Sequence, residues 1–166
     1  MMRKLALVLA LAAAPALRPA AAHAQELGIE LGSTAPAAKV HTLDGKDADL
    51  AQYVGKTPVV MEFWATWCEN CKELEPTLLA AAKKYGAQVK FVGVAVSVNQ
   101  SPERVKAFVA KHGLPGDQFF DTKGSATGAY DVPATSYVVV LNKAGKVVYT
   151  GLGGKQNLDA AIKKAL

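Results

Sequence analysis

Two cysteines, Cys68 and Cys71, are the residues of this 166-residue chain whose type and spacing point most directly to chemistry. They lie where an apolar, strand-like run gives way to a helix-like pattern. The free N–H groups and the dipole of a helix N-terminus stabilise an anion, so we expect Cys68 to become a thiolate near neutral pH. Cys71 lies one helical turn further on, where it can form a disulfide with Cys68 or resolve a mixed disulfide. The spacing therefore predicts a redox-active dithiol.

Other uses of a cysteine pair are less well supported. A structural disulfide around two residues would constrain the unfolded chain very little, because that benefit grows with loop length. Covalent haem attachment requires a histidine after the second cysteine, where this chain has Lys72. A zinc site would need two more ligands, and His41 and His112 show no ligand spacing. A structural bridge, and a soft metal such as copper held by the two thiolates, remain as alternatives.

Two acidic residues near the cysteines could tune them. Glu62 is the one charged residue in the apolar, β-prone run 59–65. If it is buried there, its carboxyl group should have a raised pKa and could transfer a proton near neutral pH. The alternative is a solvated Glu62 at a sheet edge. Glu69, directly after Cys68, is expected to raise the pKa of the Cys68 thiol and to favour a reducing protein.

The elements that must position these residues alternate between strand and helix patterns. Near-continuous apolar runs predict buried strands, and apolar residues three and four apart predict helices. The predicted elements are strands at 59–65 and 89–98, helices at 68–86 and 101–112, a strand at 119–121, a helix at 125–130, a hairpin at 137–150 and a helix at 157–165. Residues 25–57 predict an N-terminal extension with two short strands on the sheet edge. This order predicts an α/β fold, with a mixed central sheet flanked by helices.

The first 24 residues have the parts of a secretory signal peptide. Arg3 and Lys4 precede an apolar run at 5–17, and small residues at 22 and 24 end the segment. As a helix, 13 apolar residues would reach only about 20 Å, short of a hydrocarbon core of roughly 30 Å. We expect cleavage after about Ala24, which leaves one domain at 25–166 with no stable membrane insertion.

Cleavage also changes the charge balance. The full chain has a formal net charge of +5, and residues 1–24 carry three basic residues and no acidic one. The remainder keeps 16 Lys and Arg against 14 Asp and Glu, a net charge of +2. Its lysines are spread through the domain, without a basic stripe that interleaves with aromatic residues. Nucleic acid is therefore not an expected partner.

The segment from Phe63 to Lys72, with Pro76 five residues after the second cysteine, resembles the active-site segment of the thioredoxin superfamily. Four further features resemble the exported TlpA-like and ResA-like branch of this superfamily. They are the signal peptide, the segment 32–36, the turn 43–46 and a strand–helix insertion before the C-terminal hairpin. The resemblance covers about residues 30–155. It implies a thioredoxin fold and thiol–disulfide exchange without a cofactor.

The resemblance also implies roles for single residues. Cys68 would be the attacking nucleophile and Cys71 the resolving thiol, and Glu62 would handle the proton of Cys71. We expect the surrounding substrate contacts to come from Trp67, Glu69, Asn70, Thr135 and Ser136.

Two positions depart from the pattern of this branch. Leu74 occupies the place, three residues after the second cysteine, where these proteins often carry an acid. Ser136, preceded by Thr135, stands where the family has a cis-proline. A trans Thr135–Ser136 bond is expected, because a cis bond before serine costs several kcal/mol more than before proline. The residue before that proline normally offers backbone hydrogen bonds to a substrate chain, so we expect altered or narrowed recognition.

Together these observations predict a periplasmic, monomeric protein-disulfide reductase. Its expected partners are disulfide-containing envelope proteins and a membrane thiol donor, in cytochrome c maturation or metal-site assembly. A copper or soft-metal carrier is the main alternative. A thiol peroxidase is less well supported, since Met61 and Ala65 replace the Pro and Thr that its Pro-x-x-x-Thr-x-x-Cys motif needs.

Overall fold

The computed structural model describes residues 28–166, so the predicted signal peptide lies outside the described residues. The strands are β1 Lys39–Thr42, β2 Asp47–Asp49, β3 Val59–Trp64, β4 Lys90–Val96, β5 Asp117–Asp121, β6 Tyr137–Leu141 and β7 Val147–Leu152. The helices are α1 Glu69–Tyr85, α2 Pro102–His112, α3 Ser125–Ala129 and α4 Leu158–Lys163, with a 3₁₀ turn at Leu50–Tyr53. Every predicted strand and helix in this range is present. The largest differences in bounds are of two residues: β4 and α4 end two residues earlier than predicted, β5 begins two residues earlier and β7 ends two residues later.

All seven strands form one mixed sheet in the order β2-β1-β5-β4-β3-β6-β7. β3, β4 and β5 are parallel, and α1 and α2 connect them. β6 and β7 form the predicted hairpin, and β6 pairs antiparallel with β3. The N-terminal hairpin of β1 and β2 extends the edge beside β5. The predicted mixed sheet with flanking helices is confirmed, and the fold is thioredoxin-like.

β3 is the central strand that leads to the active-site segment, and all six of its residues are buried. Successive side chains of a strand point to opposite faces. Phe63 packs in a cluster with residues of the N-terminal extension and Tyr130 beyond α3, whereas Val60 packs with α1 and α4. Trp64 shares the second face and packs with Val105 of α2. Glu62 lies between Val60 and Trp64 and therefore points towards α1 and α2.

The helix ends follow the expected capping chemistry. The Ser101 side chain accepts a hydrogen bond from the Arg104 N–H at 3.3 Å, and Asn157 accepts one from the Ala160 N–H at 3.0 Å. Gly113 ends α2 in the left-handed conformation, with φ of 64°. Among residues 28–166, no helix is both long enough and apolar enough to cross a membrane.

Candidate active site

Cys68 and Cys71 are joined as a disulfide at the start of α1, with their Cα atoms 5.3 Å apart. A turn leads from β3 into the helix. The Cys68 N–H closes this turn by donating to the Ala65 carbonyl at 3.1 Å. Cys68 is the N-cap residue of α1, and its Sγ accepts a hydrogen bond from the Cys71 N–H at 3.1 Å. Both cysteines are buried, so exposure does not distinguish them. Their positions in the helix distinguish them, because the N-cap position gives Cys68 the N–H donor and the helix dipole that stabilise a thiolate.

The two residues between the cysteines point to solvent in the first turn of α1. Glu69 and Asn70 are exposed. The Lys72 ammonium donates to the Glu69 carboxylate at 2.6 Å, and the Glu69 side chain is 84% exposed. Solvent and this ion pair both reduce the field that Glu69 exerts on Cys68. The tuning of Cys68 by Glu69 therefore stays a prediction.

Trp67 forms part of an open surface next to the cysteines. Its side chain is 40% exposed, and its indole N–H donates to the Val98 carbonyl at 2.8 Å. The Thr66 N–H donates to the Gln100 side chain at 2.8 Å, which ties the same loop to the segment after β4. These bonds explain why β4 stops at Val96, since residues 97–100 turn to meet the active-site loop.

Trp67 and Thr135 line one groove of about 830 Å³, although 68 residues separate them in sequence. Val98, more than half exposed, lies in the same groove. Ser136 is fully buried and has a φ of 62°, and its carbonyl accepts from the Gly153 N–H and the Gln156 side chain. All described peptide bonds are trans, so the Thr135–Ser136 bond is trans as expected. The structure thus brings Trp67 and Thr135 together and places the Ser136 side chain in the interior.

Glu62 is buried rather than solvated at an edge, with 5% of its surface exposed. In the sheet it is flanked by Gly93 of β4 and Val138 of β6, and its Oε1 has no hydrogen-bond partner among the described residues. Burial raises the pKa of Glu62 from its ordinary value of 4.5 to about 8, and the negative charge of Glu75 adds to the rise. The carboxyl group is therefore mostly protonated at neutral pH.

Glu62 and Cys71 line the same small cavity beneath α1. The sequence predicts this meeting, because Glu62 lies on the strand that precedes the helix. A carboxyl group with a pKa near that of a thiol can exchange a proton with it at little cost. In its ionised form, Glu62 can therefore take the proton from Cys71 when the Cys71 sulfur attacks a disulfide.

Sequence reasoning missed Glu75 and His112 as neighbours of this site. Glu75 also lines the cavity, and its carboxylate oxygens lie 3.0 and 3.1 Å from His112 Nδ1. Glu75 follows Cys71 by four residues, a spacing that puts both on one helix face and could have indicated it. No local signal points to His112, which is 37 residues further along the chain. Among residues 28–166, no three His, Cys, Asp or Glu side chains are arranged to hold a metal ion.

Comparison with known proteins agrees with this geometry. The Redoxin family model matches residues 30–166. The thioredoxin-like protein YneN of Bacillus subtilis is 29% identical over 141 residues, which cover 83% of this chain and 82% of YneN. The thiol-disulfide oxidoreductase ResA of the same organism is 34% identical over 120 residues, covering 72% of this chain and 66% of ResA.

Solved structures show the same fold. A putative thiol:disulfide interchange protein DsbE from Chlorobium tepidum superposes with a TM-score of 0.71 at 24% identity, covering 82% of this chain and 98% of that one. A secreted disulfide oxidoreductase of Mycobacterium tuberculosis gives a TM-score of 0.64 at 27% identity, covering 76% and 93%. The chain belongs to the Redoxin family and is a thiol-disulfide oxidoreductase of the thioredoxin fold, with Cys68 and Cys71 as its cysteine pair.

Proposed function

We propose that this chain is exported, loses residues 1–24 and reduces disulfide bonds in proteins of the cell envelope. The observation that carries the proposal is the cavity shared by Cys71 and Glu62, directly behind a nucleophile placed at a helix N-terminus. The signal-peptide pattern supports export. One structural relative is itself described as secreted.

The reduction takes two steps that this geometry favours. The Cys68 thiolate attacks one sulfur of the substrate disulfide, forms a mixed disulfide and releases the first substrate thiolate. Cys71 then loses its proton towards Glu62 and attacks Cys68 Sγ. This breaks the mixed disulfide, releases the second substrate thiolate and leaves the Cys68–Cys71 disulfide. The oxidised pair beside a protonated Glu62 is the state that these steps produce.

Reduction of envelope proteins is the direction that we propose, with a membrane thiol donor that reduces the pair again after each cycle. Cytochrome c maturation and metal-site assembly are the proposed settings, since both require reduced cysteines in an oxidising compartment. The groove lined by Trp67 and Thr135 would receive the chain segment next to the substrate disulfide. Its volume of about 830 Å³ and the exposed apolar surface of Trp67 and Val98 suit an extended peptide.

Disulfide reduction is tested with insulin as the substrate and dithiothreitol as the electron donor. We expect residues 25–166 to accelerate the precipitation of the insulin chains, and the Cys68→Ser variant to show only the uncatalysed rate. Cys71→Ser is the matched control, because it should still form a mixed disulfide but depend on dithiothreitol to release it. A wild-type protein no faster than Cys68→Ser would refute the proposal.

The direction of electron flow is tested by the midpoint potential of the Cys68–Cys71 couple against glutathione or dithiothreitol buffers. A reductant should have a potential near that of thioredoxin, about −270 mV, or lower. A value near that of the oxidant DsbA, about −120 mV, would contradict the reductant role and indicate a disulfide donor.

A further inference from the structure

Glu62 can act in repeated cycles only if its proton reaches solvent. The carboxyl group is buried in the sheet, and its Oε1 has no partner among the described residues. The strands offer no charged group beside it, since β4 presents Gly93, β6 presents Val138, and β5 contributes the amide Gln118 to the adjoining space. Among residues 28–166, the titratable groups that line a cavity with Glu62 are Cys71, Lys72 and Glu75, all on α1.

The cavity between Glu62 and α1 is bordered by both polar and apolar side chains. Besides Glu62, Cys71 and Glu75, its walls are formed by Lys72 and by the apolar side chains of Trp64, Phe108 and Leu114. It leaves about 10 Å³ to the centre of a water molecule, which is room for about one water. Two carboxyl groups and a sulfur atom border this space, enough to hold such a water by hydrogen bonds.

Glu75 connects the cavity to a histidine at the surface. His112 Nδ1 lies 3.0 and 3.1 Å from the two Glu75 oxygens, within hydrogen-bond distance of both. The Glu75 side chain is 18% exposed and that of His112 is 27% exposed, so the pair spans the change from interior to solvent. The His112 ring stacks on Phe108, with centroids 3.8 Å apart and planes 7° apart.

Lys72 also lines the cavity, but its ammonium group binds a carboxylate outside the cavity. The Lys72 ammonium is bound to Glu69 at 2.6 Å on the exposed side of α1. Imidazole is also the side chain best suited to take up and release protons near neutral pH. His112 is therefore the group at the outer end of this path.

We propose that Glu75 and His112 form a proton path between Glu62 and solvent, which resets the buried acid in each catalytic cycle. The inference rests on the proposed thiol–disulfide exchange and adds the route of its proton. In the resolving step, Cys71 gives its proton to Glu62 and its sulfur bonds to Cys68 Sγ, while the substrate thiolate leaves with the electron pair of the broken S–S bond. The proton then passes from Glu62 through the cavity to Glu75 and from Glu75 to the unprotonated Nδ1 of His112, which releases its Nε2 proton to solvent.

The test uses reduced protein and one equivalent of 5,5′-dithiobis(2-nitrobenzoate), because each step releases one coloured thiolate. Attack by Cys68 releases the first and resolution by Cys71 releases the second. In the His112→Ala variant we expect the second release to be about tenfold slower between pH 6 and 7 and the first to stay within about twofold. This is less than the roughly 10²- to 10⁴-fold effect of a direct general base, because water carries part of the flux.

Added imidazole separates a proton path from a structural role. It should restore most of the second release in His112→Ala, in proportion to its concentration. His41→Ala is the matched control, since His41 also lies beside a carboxylate and is similarly exposed, but on β1. It should react like the wild type with and without imidazole. In a Glu62→Gln background, His112→Ala should cause no further loss.

Unchanged second release in His112→Ala, or a loss that imidazole does not restore, would overturn the proton path. If His112→Ala does not fold, Glu75→Gln decides instead. It should slow the second release without rescue by imidazole, and a normal rate would refute the path. A failure of the proposed function has a different signature, because the wild type itself would then release neither thiolate faster than Cys68→Ser.

Discussion

Replacing Glu62 by glutamine should stabilise the oxidised protein at neutral pH. The pKa of Glu62 is about 8 in the folded protein, against an ordinary value of 4.5 in an unfolded chain. Because the folded-state pKa is the higher one, the folded protein binds this proton more tightly than the unfolded chain does. Its contribution to stability is fully present below pH 4.5 and is lost as the pH rises from 4.5 to 8. Glutamine keeps the shape of the protonated carboxyl group and has no such loss.

The size of this stability difference follows from the pH interval in which Glu62 has lost its proton in the unfolded chain but keeps it in the folded protein. Between pH 4.5 and pH 7 the loss accumulates at about 1.36 kcal/mol per pH unit, which amounts to about 3 kcal/mol at pH 7. The advantage of Glu62→Gln over the wild type should therefore be about 3 kcal/mol larger at pH 7 than at pH 4. This is a large fraction of the stability of a typical domain, about 5–15 kcal/mol.

Urea denaturation of the two oxidised proteins at pH 4, 5, 6, 7 and 8 measures this difference. Glu30→Gln is the control, because Glu30 is exposed and should change the free energy of unfolding by less than about 0.5 kcal/mol at any pH. A difference between Glu62→Gln and the wild type that stays constant from pH 4 to pH 8 would refute the reasoning. Burial would then not raise the pKa of Glu62 towards that of a thiol, and its carboxylate would be too weak a base for the Cys71 proton.

Substitutions at three further positions test the packing of the fold. Asp121 is fully buried, and its carboxylate accepts from the Ala126 N–H, the Thr127 N–H and the Thr127 hydroxyl at 2.6–3.2 Å. Asp121→Ala should lower the free energy of unfolding by about 3 kcal/mol and Asp121→Asn by less, and a loss in urea titrations below about 1 kcal/mol for alanine would contradict this. Gly116 and Gly113 both have positive φ, but a Cβ at Gly116 would lie 1.9 Å from the Phe91 carbonyl oxygen, whereas one at Gly113 meets nothing within 4 Å. In thermal unfolding, Gly113→Ala should lower the free energy of unfolding by about 1–2 kcal/mol because of its backbone conformation, and Gly116→Ala should lower it by clearly more. Equal losses for the two variants would show that the contact with the Phe91 carbonyl is unimportant.

Much of the fold could be predicted because the signals are local. The apolar run at 59–65 predicts the buried strand β3, and residues between Leu74 and Tyr85 repeat with the helical period of α1. A strand with apolar side chains on both faces needs cover on both sides, so the burial of Glu62 also follows from its neighbours. The end of β4 could not be predicted in this way. Val98 is as apolar as the strand before it, but its carbonyl accepts a hydrogen bond from the Trp67 indole N–H instead of pairing with a neighbouring strand.

The active-site residues can also be divided into those that local sequence signals predict and those that depend on the tertiary structure. Cys68, Cys71 and Glu62 lie within ten consecutive residues, and their meeting depends only on a strand that runs into a helix. Thr135 could be aligned with a substrate loop, but the meeting of Thr135 with Trp67 in one groove depends on the packing of distant segments.

By itself, the sequence determined the redox pair, the helix N-terminus that activates it and the buried acid behind it. These depend on side-chain type and on the periods of strand and helix, which act over a few residues. Only the tertiary structure decided that Glu75 meets His112, that Ser136 turns inward and that Trp67 shares a groove with Thr135. Such contacts join residues far apart in the chain. They arise from the order of strands in the sheet and from the way α1 and α2 pack side by side on one of its faces.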